Sequence, residues 1–146
     1  MASTECREGD ARFEFGQKAQ MTKVISESDV QQFSVISGDV NPLHLDEDYA
    51  RQTRFRRRIA HGAILVGMIS AVLGNDLPGK GTIYMEQSLA FLRPVFLGDR
   101  ITAVVEIEAI EGQKRIVRLR TECQNEAGEA VARGLSVVLH PMAKRG

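Results

Sequence analysis

Ile59-Ala60-His61-Gly62-Ala63-Ile64-Leu65-Val66-Gly67-Met68-Ile69-Ser70-Ala71-Val72-Leu73-Gly74-Asn75-Asp76-Leu77 decides the fold class. Ile64, Leu65, Met68, Ile69, Val72 and Leu73 recur at helical spacing. The other side, Ala63, Gly67, Ser70, Ala71 and Gly74, is small and uncharged. A helix without a charged face is expected to be buried all round. Its small side lets a backbone or a ligand approach closely. Asn75-Asp76-Leu77-Pro78-Gly79 ends it.

After Gly81 the apolar period changes to two. Strands are predicted near Thr82 to Val95, Arg100 to Glu111, Arg115 to Asn125 and Ala130 to Leu139. Gly98-Asp99, Glu111-Gly112 and Glu126-Ala127-Gly128 supply the turns. Arg115, Arg118 and Arg120 alternate with Val117 and Leu119, so one sheet face is wet. Upstream of the helix, Arg12 to Val24 alternates loosely and predicts one more strand. Ser26 to Asp29 is a helix-start signal close to a capping box, and Gly38 would stop that helix. Asn41-Pro42 marks a turn. Asp46 can cap a short helix from Glu47, and an arginine-rich loop follows through Arg58. The order is strand, short helices, one apolar helix, then four consecutive antiparallel strands. That is an α+β layout, a curved antiparallel sheet wrapped around a central buried helix.

The chain has 146 residues, the size of one domain with its own core. Residues 1–11 read as a disordered polar tail, and residues 12–146 as a single domain. Lys plus Arg and Asp plus Glu each number 19. No basic excess exists for a global grip on nucleic acid or an acidic membrane. The longest charge-free apolar stretch, Ile59 to Gly74, falls short of a membrane span. Cys6 and Cys123 do not make a disulfide framework, which favours a reducing, cytoplasmic setting.

Chemistry is concentrated in Ser37-Gly38-Asp39-Val40-Asn41-Pro42-Leu43-His44-Leu45-Asp46, followed by Ala60-His61-Gly62. Asp39 and His44 flank the Asn-Pro turn, so both can point into one cleft. A carboxylate and an imidazole around one water make an acid–base pair near neutral pH. Gly62 opens the apolar helix, where a backbone amide is an unsatisfied donor within the positive end of the helix dipole. A base, an orienting partner and an oxyanion donor are thereby available. Each residue also has a plainer role. Asp39 can form an Asx turn, His44 and His61 can be satisfied structural histidines, Asp46 can be only a cap, and Gly62 can relieve crowding. A zinc site from Asp39, His44 and His61 fits no standard ligand spacing.

These residues resemble the MaoC-like, (R)-specific enoyl-CoA hydratases, the hydratase 2 family. The run Ser37 to Asp46 is the specific part. Ala60-His61-Gly62, Leu77-Pro78-Gly79-Lys80-Gly81, Phe91-Leu92-Arg93-Pro94-Val95 and Gly98-Asp99 extend the resemblance. It implies a hot-dog fold and reversible syn addition of water to a trans-2-enoyl thioester, giving the (R)-3-hydroxyacyl thioester. It implies that Asp39 and His44 activate the water and that the Gly62 amide stabilises enolate character. It further implies substrate contacts from Asn41, from Ser70 lining the acyl pocket, and from Leu73 limiting acyl length. Arg56 departs from the usual pattern by its charge, which makes the loop Arg54 to Arg58 unusually basic, and Arg56 and Arg57 are expected to meet the phosphates of CoA. CoA is part of the substrate, so neither a cofactor nor a metal is expected. The partners expected are an acyl-CoA thioester and a second copy of the chain in a homodimer. An acyl-carrier-protein dehydratase, a hot-dog thioesterase and a non-catalytic acyl-CoA binding module are the rival readings.

Overall fold

The computed structural model describes residues 13–143. The predicted tail, residues 1–11 with Cys6, lies outside them. The elements are β1 (Lys18–Val24), α1 (Glu27–Ser37), α2 (Pro42–Leu45), α3 (Glu47–Arg51), α4 (Ala63–Asn75), β2 (Ile83–Phe91), β3 (Arg100–Glu111), β4 (Ile116–Gln124) and β5 (Ala130–Leu139). All pairings are antiparallel, in the order β1-β3-β4-β5-β2. The four later strands lie close to their predicted positions. They are not simple neighbours in sequence order, because β2 pairs with β5 at the far edge and β1 takes the place beside β3.

Leu65, Met68, Ile69, Val72 and Leu73 form the buried side of α4. They share one core with Ile101, Ala103, Val105 and Ile107 of β3 and with Val117, Leu119 and Cys123 of β4. Each such aliphatic side chain contributes about 1.5–3 kcal/mol by leaving water. The period of two on β3 and β4 thus meets the helical period of α4 across one layer.

Four expectations need correction. The apolar helix is shorter than Ile59 to Leu77, because Ile59 pairs with Phe96 in an isolated bridge and the Ala60 amide donates to the Val95 carbonyl. It is also not buried all round: Ala63, Gly67 and Ser70 are exposed among the described residues. The first strand starts at Lys18, after a turn at Phe15-Gly16 in which Gly16 takes a positive φ of 85°. Asn41-Pro42 does more than turn the chain, because Asn41 caps α2 with proline in its first turn. Ser26 forms the full capping box with Asp29, and Gly38 ends α1 in the left-handed conformation, as expected.

Candidate active site

Three short connections build the site wall. Gly38 turns the chain out of α1 at φ 78° and delivers Asp39. Asp39 Oδ1 accepts the Asn41 amide at 3.2 Å, and Asn41 Oδ1 accepts the Leu43 amide at 3.1 Å. Asn41 therefore spends its oxygen on starting α2. One turn later His44 points inward and is only 8% exposed. Asp46 ends α2 and caps α3 by accepting the Tyr49 amide. The plain cap reading of Asp46 holds.

The tautomer of His44 follows from its partner. Nδ1 lies 2.7 Å from the Ile59 carbonyl oxygen, which can only accept. Nδ1 therefore carries the proton and Nε2 keeps its lone pair. Asp39, His44 and His61 each place a ligating atom within 4.8 Å of the others. Such a gap suits one bridging water, with two hydrogen bonds of about 2.8 Å each. His44 and His61 stack with ring centroids 4.0 Å apart and planes at 32°.

Arg58 fixes this wall from behind. Its guanidinium donates to Glu47 at 3.0 Å, to both carboxylate oxygens of Glu27, and to the His44 and Leu45 carbonyls at 3.4 Å each. One side chain thus ties α1, α2 and α3 together. The Arg58 hydrogen bond holds the Glu27 carboxyl below its ordinary value, and Glu27 raises Arg58 in turn.

His44 and Gly62 line one cavity of about 470 Å³, together with Arg54, Phe91 and Arg93. Gly62 precedes the first turn of α4, and no side chain caps it there. Among the described residues no acceptor meets its amide. A Cβ at this position would stand 2.8 Å from Phe91 Cε1. Gly62 is thus crowded at its Cα and carries an amide without an acceptor among the described residues.

Asp39 lies within 4.8 Å of His44, and His44 shares the cavity with Gly62, but Asp39 is not among the residues that line that cavity. Ser70 and Leu73 do not line this cavity: Ser70 sits on the open side of α4 and Leu73 is in the core. Arg56 and Arg57 do not line it either. Arg56 has a positive φ of 64°, and the Arg57 guanidinium lies 3.8 Å from the centroid of the Phe96 ring. The cavity cations are Arg54 and Arg93, with Arg93 donating to the Ala130 carbonyl and paired with Glu129. Sequence reasoning named both arginines only as parts of longer segments. The clamp of Arg58 carried no sequence signal beyond its place in a basic run.

Residues 10–128 match the MaoC like domain family. The chain belongs to that family. It is 48% identical over 126 residues to an (R)-specific enoyl-CoA hydratase of Rhodospirillum rubrum, covering 86% of this chain and 87% of the relative. It is 44% identical to an (R)-specific enoyl-CoA hydratase of Aeromonas caviae, covering 88% and 96%. The solved structure of an A. caviae (R)-hydratase involved in PHA biosynthesis superposes with a TM-score of 0.86, at 44% identity, over 88% of this chain and 98% of that one. The fold is therefore the hot-dog fold of this MaoC-like family, as the motif implied.

Proposed function

We propose that this MaoC-like chain is an (R)-specific enoyl-CoA hydratase, a hydro-lyase that adds water reversibly to a trans-2-enoyl-CoA. The observation that carries this reading is the tautomer of His44, whose Nε2 lone pair is left free beside Asp39 while the ring lines the cavity of Gly62. The water oxygen bonds to C3 as Nε2 takes one water proton. The electron pair of the C2–C3 double bond moves toward the thioester carbonyl, where the free Gly62 amide donates to the developing oxyanion. The proton then passes to C2, from His44 or through Asp39. Delivery of the hydroxyl and the proton from the same pair of groups would give syn addition.

The test is loss of the enoyl absorbance of crotonyl-CoA with chiral analysis of the product. The R product is expected. Asp39→Asn and His44→Gln should each lower kcat by about 10²–10⁴. An S product, or wild-type turnover in either variant, overturns the mechanism.

The same reading gives the substrate arm and the assembly. Arg54, which lines the cavity, and Arg56 and Arg57 on the same loop would meet CoA phosphates by charge-assisted hydrogen bonds. Asn41, Ser70 and Leu73 lie outside the cavity of His44 and Gly62, and we assign them no substrate contact there. The chain works as a homodimer joined along β2. That outer strand leaves Ile83 58% and Met85 51% exposed, whereas the other edge, β1, carries Lys18 and Lys23. Two β2 strands side by side continue the sheet across a twofold axis. Sedimentation at a single chain mass would remove the dimer. A reducing, cytoplasmic setting belongs to the same reading, supported by the buried, unpaired Cys123, whose burial pushes its thiol up to about 12.

A further inference from the structure

His61 is 2% exposed and sits against three parts of the site. Its ring centroid lies 4.0 Å from that of His44 and 4.8 Å from that of Phe33, with planes tilted by 32° and 56°. Its Nε2 lies 3.1 Å from the Asp39 carbonyl oxygen and 3.3 Å from Ser34 Oγ. Its own peptide leads directly into Gly62.

The partners of His61 determine its proton. A carbonyl oxygen only accepts, so Nε2 must carry hydrogen. Ser34 Oγ already donates to the Val30 carbonyl at 3.0 Å, so toward His61 it is an acceptor too. Nδ1 is then a bare lone pair. It is buried and meets no hydrogen-bond partner among the described residues. Protonating it would bury an N–H with no acceptor beside the ring of His44. Burial and the neighbouring His44 hold the His61 pKa below its ordinary value, against the opposing pull of Asp39.

We propose that His61 is a positioning residue: a neutral imidazole, locked as its Nε2–H tautomer, that holds Asp39 by its backbone carbonyl and backs the His44 ring without adding charge. The two histidines then divide the work. His44 exposes a lone pair to substrate and changes charge during turnover. His61 donates to the backbone and does not. A second titrating ring at this distance would oppose each protonation of His44, because like charges so close repel strongly. A smaller apolar residue would leave the Asp39 carbonyl without its donor. The inference rests on the hydratase reading for what Asp39 and His44 do, but the tautomer stands apart from it.

Two measurements test it. In the first, nitrogen-15 spectra of the native protein near neutral pH are expected to show His61 as neutral Nε2–H and His44, when neutral, as Nδ1–H. An Nδ1–H or charged His61 overturns the proposal whether or not the protein hydrates enoyl-CoA. In the second, His61→Gln, whose amide nitrogen can occupy the place of Nε2, is compared with His61→Asn, whose shorter amide cannot, and with His61→Phe. The Asn and Phe variants should lose about 10–10² in kcat through misplacement of Asp39, with KM changed less than about twofold. The Gln variant should recover most of that loss. Equal kcat for Gln and Asn overturns the proposal, and so does a loss that appears in KM. Gln and Asn are both polar and similar in size, so the comparison survives failure of the Phe variant to fold. Absence of turnover in the wild type would instead defeat the hydratase reading and leave the tautomer to the spectra.

Discussion

His44 and Arg54 border the same cavity, yet the stretches that carry them are held in different ways. The wall from Gly38 to Asp46 is fixed by side-chain-to-backbone bonds: Asp39 to the Asn41 amide, Asn41 to the Leu43 amide, His44 to the Ile59 carbonyl. Arg58 bolts that wall to α1 and α3. The arginines just before it are held by contacts with ring faces, Arg54 at 4.8 Å from the Phe55 centroid and Arg57 over Phe96. The difference matches two kinds of task. Proton transfer depends on tautomer and on tenths of an ångström. Attraction to a phosphate depends mainly on having a cation within reach, and solvent screens much of it. Variants on the first wall should therefore act on kcat, and variants on the arginine loop on KM.

Gly62→Ala probes the first wall most sharply after Asp39 and His44 themselves. The new methyl would meet the Phe91 ring at 2.8 Å, so one of the two must move. Movement of the backbone shifts the Gly62 amide, whereas a swing of the exposed Phe91 ring reshapes the cavity wall beside it. A fall in kcat of about 10²-fold is expected, on the scale of losing one oxyanion donor. Affinity for a saturated acyl-CoA, which develops no oxyanion, should change far less. Steady-state kinetics and calorimetric binding check the two halves. Equal losses in binding and in kcat would mean that Gly62 serves crowding alone.

Much of this wall was legible because its chemistry is local. An Asx turn, an Asn cap with proline after it, and a capping box are written in residues at most three apart. The four later strands were legible for the same reason, since alternation and glycine turns are short-range signals. What escaped was long-range. Nothing in the alternation of β2 says that it pairs with β5 and not with β3. Nothing near Arg58 says that Glu27, 31 residues away, is its partner. The small face of α4 was legible as small, but its exposure depends on what packs there, and among the described residues Ala63, Gly67 and Ser70 stay exposed. The His61 partners, Ser34 and the Asp39 carbonyl, likewise come together only through packing of α1 against the α4 entrance.

The arginine loop offers the gentlest test. Arg54→Ala should raise KM for crotonyl-CoA about three- to fivefold and leave kcat within about twofold, the scale of one exposed charged contact. Crotonyl-pantetheine carries the thioester without the nucleotide phosphates. With that substrate the variant and the wild type should share one KM. Arg57→Ala should show a smaller rise, because part of the Arg57 charge is engaged by the Phe96 ring. Arg56 holds a backbone conformation, φ 64°, that glycine adopts more easily than alanine. Arg56→Gly and Arg56→Ala remove the same charge but differ in that strain. Matching KM values for the two would mean that charge alone matters on this wall. A fall in kcat in the Ala variant that the Gly variant spares would mean that the loop's backbone is held as closely as the wall of His44, and the contrast between the two stretches would fail.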